Sequence, residues 1–296
     1  MLLRSMPDLS AGNTQFRTWF YSRWGRENCL ILARTRHAEY DLYRQRLSIK
    51  TACGGRERYF VDRRTVAVDD DNYLILNDGQ RYGSLIESPR EVESFSIFFR
   101  SGLLEAVLGS LRADPERIGD NIDRTAPSIE FSERLQPHDT TVTPMMRFIC
   151  LHLRRGLDDE HWYEEQLQIL AERLLIQQQH VANRPLKLRC IKASTRIELC
   201  RRLALAADFI ESSYDCDIGL AQMADASCLS VHHFMRLFHQ AYGVTPMQYL
   251  QRKRIAVARR LGKDQSLTSQ EIATRVGFNS RATYYRQLAR WDERAH

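Results

Sequence analysis

The segment Ser230–Leu261 decides the fold of this chain, and it reads SVHHFMRLFHQAYGVTPMQYLQRKRIAVARRL. In its first half, Phe234 and Phe238 lie four residues apart, a spacing that places both on one face of a helix. The dipeptide Thr245-Pro246 then predicts the start of a second helix, because threonine caps helix N-termini and proline suits the first helical position. Two consecutive helices are therefore expected here.

A further short helix is predicted just before this segment. The run LAQMADA at Leu220–Ala226 is separated from Ser230 by a brief turn. A helix, a short turn and a second helix with a polar outer face form a helix-turn-helix, a motif that presents its second helix to the DNA major groove. An ordinary pair of core helices is the alternative interpretation of this single match.

The same pattern returns near the end of the chain. Before the turn the two copies are offset by 49 residues, and after the turn the offset is 50 residues. The matched positions include the pairs Met223 and Ile272, Cys228 and Gly277, Phe234 and Tyr284, and Arg236 and Arg286. A repeated structural unit tolerates a one-residue difference within a turn. The sequence therefore predicts two helix-turn-helix units joined by one long helix.

Residues 199–291 resemble the DNA-binding domain of AraC/XylS-type bacterial transcription regulators. The segments that carry the resemblance are LSVHHFMRLF, GVTPMQYLQRKRIAVARRL and EIATRVGFNSRATYYRQL. Two positions depart from the family pattern: Cys228 stands where a glycine is usual in the first turn, and Leu288 replaces a frequent aromatic residue. The resemblance implies that residues 191–296 form an all-α double helix-turn-helix domain and that double-stranded DNA is its partner.

The resemblance also implies which side chains contact DNA. The positions expected to face bases are His232, Met235 and Arg236 in the first unit and Arg281, Thr283, Tyr285 and Arg286 in the second. Arginine can contact O6 and N7 of guanine together, although a phosphate contact or an intramolecular ion pair is the alternative for Arg236 and Arg286. Lys253 belongs to a basic group on the long helix, for which we expect phosphate attraction or solvation.

The long helix sets the spacing of the two units. Pro246–Leu261 has 16 residues. That number corresponds to a length of ~24 Å at ~1.5 Å per residue. With the helix radii added, two reading helices about one DNA turn, ~34 Å, apart are expected. One chain would then enter two successive major grooves.

The charge distribution agrees with a polyanion partner. The 296 residues carry a net charge of +6, and the part from residue 191 onward accounts for all of it, with 16 basic and 10 acidic residues. A solvated basic surface would look similar.

Seven cysteines without a C-x-x-C spacing argue against a disulfide framework or zinc site. No apolar stretch suggests a membrane partner, so we expect a cytoplasmic, nucleoid-associated protein.

Strand periodicity dominates the first third of the chain. Alternating or apolar runs separated by turn signals predict strands at residues 40–44, 46–50, 58–62, 65–68, 73–76 and 92–99. Many short strands indicate a sandwich or small barrel. The family resemblance implies a cupin-like β-barrel with flanking helices that binds a small effector, which we assign to residues 1–140. The whole chain is thus expected to be α+β with two domains.

Two further helices are predicted between these domains. In the second, Leu167, Leu170 and Leu174 form an apolar stripe. Such a stripe usually packs within its own chain, whereas the family resemblance favours a homodimer contact. Residues 141–190 are therefore interpreted as a helical dimerisation region and linker, with Asn183–Lys187 as the linker itself.

Three classes of function compete at this level. We favour a transcription regulator that senses an effector or dimerises through its N-terminal domain, with RNA polymerase as a further candidate partner. The alternative, a metal-dependent cupin-type enzyme, needs several histidines, and none lies between His37 and His138. A DNA-repair methyltransferase needs a reactive cysteine in an activating motif, which is not found. We expect no enzymatic activity, cofactor or metal, and name as candidate effector contacts Arg34, His37, Tyr40 and Arg46.

Overall fold

A computed structural model describes residues 1–62, 64–112, 129–182, 193–264 and 267–292. The chain divides into two compact units, Met1–Arg184 and Pro185–His296. The first combines a β-sheet with helices, and the second is helical in all its described residues. The prediction of an α+β chain is confirmed. The predicted linker Asn183–Lys187 lies outside the described residues.

The first unit is organised around one sheet. Its strands are β1 Leu2–Leu3, β2 Cys29–Arg44, β3 Ser48–Cys53, β4 Glu57–Val61, β5 Arg64–Val68, β6 Asn72–Leu76, β7 Arg81–Phe98 and β8 Leu135–Pro137. The pairing order is β1-β2-β7-β3-β6-β8, and β4 pairs with both β5 and β7. The β1–β2 pair is parallel, and the other pairs of named strands are antiparallel.

Strand β7 is the centre of this sheet. Its last residue, Phe98, pairs with Cys29 of β2 on one side and with Ser48 of β3 on the other. Earlier in the strand, Leu85 pairs with Arg58 of β4. Strand β7 therefore pairs with β4 in its first part and with β3 in its last part. This pairing places β3 and β4 one after the other along β7.

The described part of the first unit contains four helices: α1 Thr14–Arg23, α2 Leu103–Arg112, α3 Thr143–Arg154 and α4 Glu160–Ala182. Helices α2, α3 and α4 share a hydrophobic core with one part of the sheet. Leu167, Leu170 and Leu174 are at most 2 % exposed within this core. They are therefore not a surface to which a second subunit can dock, and intramolecular packing is the correct interpretation. Residues 141–182 form part of the first unit.

The second unit contains α5 Ala193–Ser213, α6 Leu220–Ala226, α7 Val231–Tyr242, α8 Pro246–Leu261, α9 Ser269–Arg275 and α10 Arg281–Asp292. Its core takes residues from all six helices and from the two turns. Phe234 and Phe238 are fully buried, with ring centroids 5.3 Å apart. None of the helices in the described ranges is long and apolar enough to cross a membrane.

Candidate nucleic-acid interface and ligand cavity

The first helix-turn-helix consists of α6 and α7. Leu237 and the two phenylalanines of α7 are buried, because their helical spacing keeps them on the face that meets the core. His232, Met235 and Arg236 are exposed on the opposite side of the helix. Gly243 ends α7 with a φ of 73°, a left-handed conformation that glycine adopts without strain. The three side chains expected to contact bases thus share one accessible face.

The second helix-turn-helix consists of α9 and α10. Thr268 and Glu271 form a capping box at the start of α9, with Glu271 N donating to Thr268 Oγ1 over 3.2 Å. On α10, Tyr284 is buried, whereas the residues exposed to solvent include Arg281, Tyr285 and Arg286. The second helix-turn-helix therefore also presents an accessible helical face that carries arginine.

Three of the predicted base-contacting side chains of the second helix-turn-helix have intramolecular contacts. The guanidinium carbon of Arg281 lies 5.6 Å from the centroid of the Tyr285 ring. The hydroxyl of Tyr285 donates to Ser269 Oγ over 2.8 Å, which joins α10 to the start of α9. The half-buried Thr283 has its Oγ1 3.0 Å from Ser280 Oγ, and its backbone N donates to the same atom over 3.2 Å. Thr283 therefore helps to form the cap of α10. Arg281 and Arg286 remain the stronger candidates for base contacts.

The turns of the two helix-turn-helix units share a backbone hydrogen bond at equivalent positions. Leu229 N donates to Ala224 O over 3.2 Å, and Phe278 N donates to Ala273 O over 2.9 Å. These pairs stand at the sequence offset of 49 residues. The residue before each donor has a positive φ, 51° at Cys228 and 81° at Gly277. The repeat inferred from the sequence is therefore a repeat of backbone structure.

The prediction for Lys253 is wrong. Its side chain is 5 % exposed, and its Nζ lies 2.9 Å from a carboxylate oxygen of Glu211. The same ammonium lies 5.4 Å from the centroid of the Tyr214 ring. A buried amine that is paired with a carboxylate of its own domain cannot contact a DNA phosphate. The error came from treating every charged residue of α8 as part of its outer face.

The next residue, Arg254, is also an internal contact. Its Nε donates to Tyr214 O over 2.6 Å, and its Nη2 donates to Cys216 O over 2.8 Å. Arg252, by contrast, is exposed, with its guanidinium carbon 5.6 Å from the centroid of the Trp291 ring. Of the basic residues of α8, Arg252 and Arg259 are exposed to solvent.

A cavity of about 170 Å³ lies in the first unit. Of the four residues proposed as effector contacts, Tyr40 lines it and donates from its hydroxyl to Pro7 O over 2.8 Å. Arg34 pairs with Glu93, His37 is exposed, and Arg46 pairs with Asp78, and none of these three belongs to the lining. They lie outside because the sequence did not show which face of each strand is inward.

Sequence reasoning missed the three charged residues that do line the cavity, the exposed Arg44 and the buried Lys50 and Glu57. Lys50 and Glu57 are 3 % and 4 % exposed. Lys50 Nζ donates to Ser96 Oγ over 3.4 Å, and Ser94 Oγ donates to Glu57 Oε2 over 2.7 Å. Lys50 ends a predicted alternating strand, where a charge ordinarily faces solvent. Glu57 stands one residue before the predicted strand 58–62, and only its two-residue spacing from Tyr59 and Val61 indicated an inward position.

The electrostatics of Lys50 follow from this burial. Removal from water lowers the pKa of Lys50 to about 7, and the nearby Glu57 carboxylate opposes this shift. Its Nζ lies 3.6 Å from the centroid of the Phe98 ring and 5.3 Å from that of Tyr82. Aromatic faces stabilise a cation at such distances. The amine therefore loses its proton more readily than an ordinary lysine, although the carboxylate and the rings favour its charged form.

Known proteins are similar to this chain within its helical C-terminal unit, Pro185–His296. A family model described as "Helix-turn-helix domain" matches residues 223–293. The probable transcriptional regulator LumQ of Photobacterium leiognathi is 27 % identical over 88 residues, which are 30 % of this chain and 36 % of LumQ. The HTH-type transcriptional regulator AlkR of Acinetobacter baylyi is 34 % identical over 73 residues, which are 25 % of this chain and 24 % of AlkR.

The chain thus spans about a quarter to a third of the length of these curated relatives.

Among solved structures, ToxT from Vibrio cholerae has 11 % identity and a TM-score of 0.35, covering 88 % of this chain and 92 % of that one. A TM-score at this level establishes no shared fold.

The matched residues contain both helix-turn-helix units, except for the first three residues of α6. They define the second unit as a DNA-binding helix-turn-helix domain. Its repeat, the family model and the matching transcription regulators support the resemblance of this domain to the DNA-binding domain of AraC/XylS-type regulators.

Proposed function

We propose that this chain is a sequence-specific transcription regulator that reads DNA with both units of its C-terminal domain. The observation that carries this proposal is the repeated backbone, which presents Arg236 and Arg286 at equivalent exposed positions. An α-helix fits the major groove of B-DNA, and arginine there recognises guanine through O6 and N7. The curated relatives over the same segment are transcription regulators, and no enzymatic activity is proposed for the chain.

The long helix α8 supports simultaneous contact with two grooves. Its 16 residues give a length of ~24 Å, since each helical residue adds ~1.5 Å. Lys253 and Arg254 hold α8 against α5 and the loop that follows it through buried polar contacts. A helix fixed in this way keeps the separation between the units constant, so the two half-sites should lie about one DNA turn apart.

The N-terminal unit is proposed to be the cupin-like sensor domain of the regulator. Its mainly antiparallel sheet and its cavity of about 170 Å³ support this assignment. A small-molecule effector in that cavity would favour one arrangement of the chain over another. Linkage then requires that effector and DNA change each other's affinity by the same factor.

A homodimer remains part of the proposal, with a different surface from the one predicted. Ile169 and Ile176 lie two helical turns apart on the exposed side of α4, and Phe148 and Leu151 are exposed on α3. Ile169→Glu should give monomers with an intact core, since Ile169 is 39 % exposed. A wild-type chain that sediments as a monomer at micromolar concentration would remove the dimer from the proposal.

The regulator proposal is tested by selecting genomic fragments with the full-length chain and titrating the best fragment at several salt concentrations. Specific binding should exceed binding to random DNA by about 10³-fold or more. Log affinity should fall linearly with log salt, because basic side chains release counterions from phosphates. Equal affinity for selected and random fragments would refute sequence-specific regulation.

A further inference from the structure

The cavity of the first unit contains a buried pair of opposite charges. Lys50 lies on β3 and Glu57 on β4, and both are less than 5 % exposed. Their hydrogen-bond partners are serines of β7, Ser96 for the amine and Ser94 for the carboxylate. The hydrogen bond of Lys50 is long, at 3.4 Å, whereas that of Glu57 is 2.7 Å. An ammonium has three donors, so one long bond leaves donor capacity for a ligand.

The apolar part of the lining is mainly aromatic. Its rings include those of Phe20, Trp24, Tyr59, Tyr82 and Phe98. Tyr59 and Tyr82 meet edge to face with centroids 5.9 Å apart, and Trp24 and Phe98 do so at 4.8 Å. A cavity of about 150 Å³ is known to hold benzene, and this one measures about 170 Å³. Size and walls therefore suit one planar ring with a small substituent.

We propose that this cavity binds a small aromatic molecule of zero net charge, whose polar substituent accepts a hydrogen bond from Lys50 and donates one to Glu57. The proposal rests on the proposed sensor function and names the ligand class for it. Primary aromatic amides and uncharged aromatics with adjacent acceptor and donor groups belong to this class.

The requirement for zero net charge comes from the pairing of the two residues. A lone carboxylate ligand would satisfy Lys50 but would bring a second negative charge close to Glu57. A lone cation would meet the corresponding repulsion from Lys50. Burying an uncompensated charge is costly, whereas a neutral ligand leaves the balance between Lys50 and Glu57 intact. A donor and acceptor on one substituent also gives each buried group a partner.

Three probes of nearly equal shape separate the alternatives: benzamide is neutral with an acceptor and a donor, benzoate is an anion, and benzamidinium is a cation. Isothermal titration of the full-length chain should detect benzamide at micromolar to millimolar concentrations. Benzoate and benzamidinium should bind at least about tenfold more weakly. A wild-type chain that prefers benzoate, or that binds none of the three at millimolar concentrations, overturns the proposal.

Two variants locate the binding. Lys50→Met leaves an unpaired carboxylate, so the preference should move from benzamide towards benzamidinium. Glu57→Gln leaves an unpaired amine, so the preference should move towards benzoate. Circular dichroism verifies that each variant is folded, and the ranking of probes on the wild type does not depend on either variant. Unchanged rankings in both folded variants would place the probe elsewhere and refute the site.

A DNA titration with and without benzamide separates this inference from the sensor function. Binding of benzamide that changes DNA affinity supports both. Benzamide bound in the cavity without any change in DNA affinity supports the ligand class and counts against the sensor role. An anionic or cationic compound that binds the cavity and changes DNA affinity, while benzamide does neither, supports the sensor role and overturns the ligand class.

Discussion

The two helix-turn-helix units share a backbone conformation, but the side chains on their exposed faces differ. Their turns make equivalent hydrogen bonds, and the aromatic residues Phe234 and Tyr284 are buried at equivalent positions. On the exposed faces, Met235 corresponds to Tyr285, and Arg236 corresponds to Arg286. An aromatic residue occupies this buried position in both units, whereas the outer side chains differ except at the shared arginine. Such divergence is expected if each unit reads its own half-site, because base contacts determine specificity.

The turns also differ in the residue that adopts a positive φ. In the second unit this residue is Gly277, and a Cβ there would come within 2.8 Å of Tyr214 O and Asp215 O. In the first unit it is Cys228, whose backbone has the same handedness although it carries a side chain. Because Cys228 is exposed, its side chain meets no comparable crowding. Crowding by backbone carbonyls therefore requires glycine at position 277. At position 228 the positive φ favours glycine, but a side chain can be accommodated.

The largest effect is expected for Gly277→Ala. The variant should lose about 2–4 kcal/mol of stability, because alanine is strained in the left-handed region and its methyl group would collide with two backbone carbonyls. Chemical denaturation of the full chain measures the loss. The matched variant Cys228→Gly should be neutral or more stable by up to about 1 kcal/mol. A larger loss at Cys228→Gly than at Gly277→Ala would refute the comparison of the turns.

The next effect concerns base recognition. Arg236→Ala and Arg286→Ala should each weaken binding to the selected site by about 1–3 kcal/mol and relax specificity at one half-site. Binding titrations on sites with single substitutions in either half measure both effects. If the two variants relax specificity at the same base pairs, the units do not read separate half-sites.

The smallest effect concerns phosphate attraction by α8. Arg252→Gln should reduce the slope of log affinity against log salt by about 1, because one counterion fewer is released. Lys253→Gln should leave that slope unchanged in folded protein, because its amine is buried against Glu211. Salt titrations on random DNA measure the slopes. A reduced slope for Lys253→Gln alone would restore the original assignment of that residue.

The helical domain was largely predictable from its sequence. Helix α8 has the predicted bounds because Thr245 and Pro246 define its start locally, and the spacing of Phe234 and Phe238 identified their buried face. Lys253 was misassigned because a charged residue gives no sign of an internal partner 42 positions earlier, Glu211. Partners so distant in sequence are determined by tertiary packing.

The β-domain was less predictable. Strands β2 and β7, with 16 and 18 residues, were only partly recognised, since alternation fails where a strand is buried on both faces or changes partners. For the same reason the inward side of each strand could not be assigned, and Lys50 and Glu57 escaped notice. Their burial depends on the pairing of β3 and β4 with β7, which no local pattern determines.

The central claim is that both units contact DNA at once, in successive major grooves, each through its own arginine. Methylation protection of guanine N7 on the selected site tests it directly, with the wild type, Arg236→Ala and Arg286→Ala compared at saturation. The claim predicts two protected groups of guanines about 10 base pairs apart. Each variant should lose protection in a different group. A single protected group, or the loss of the same guanines in both variants, would contradict the claim.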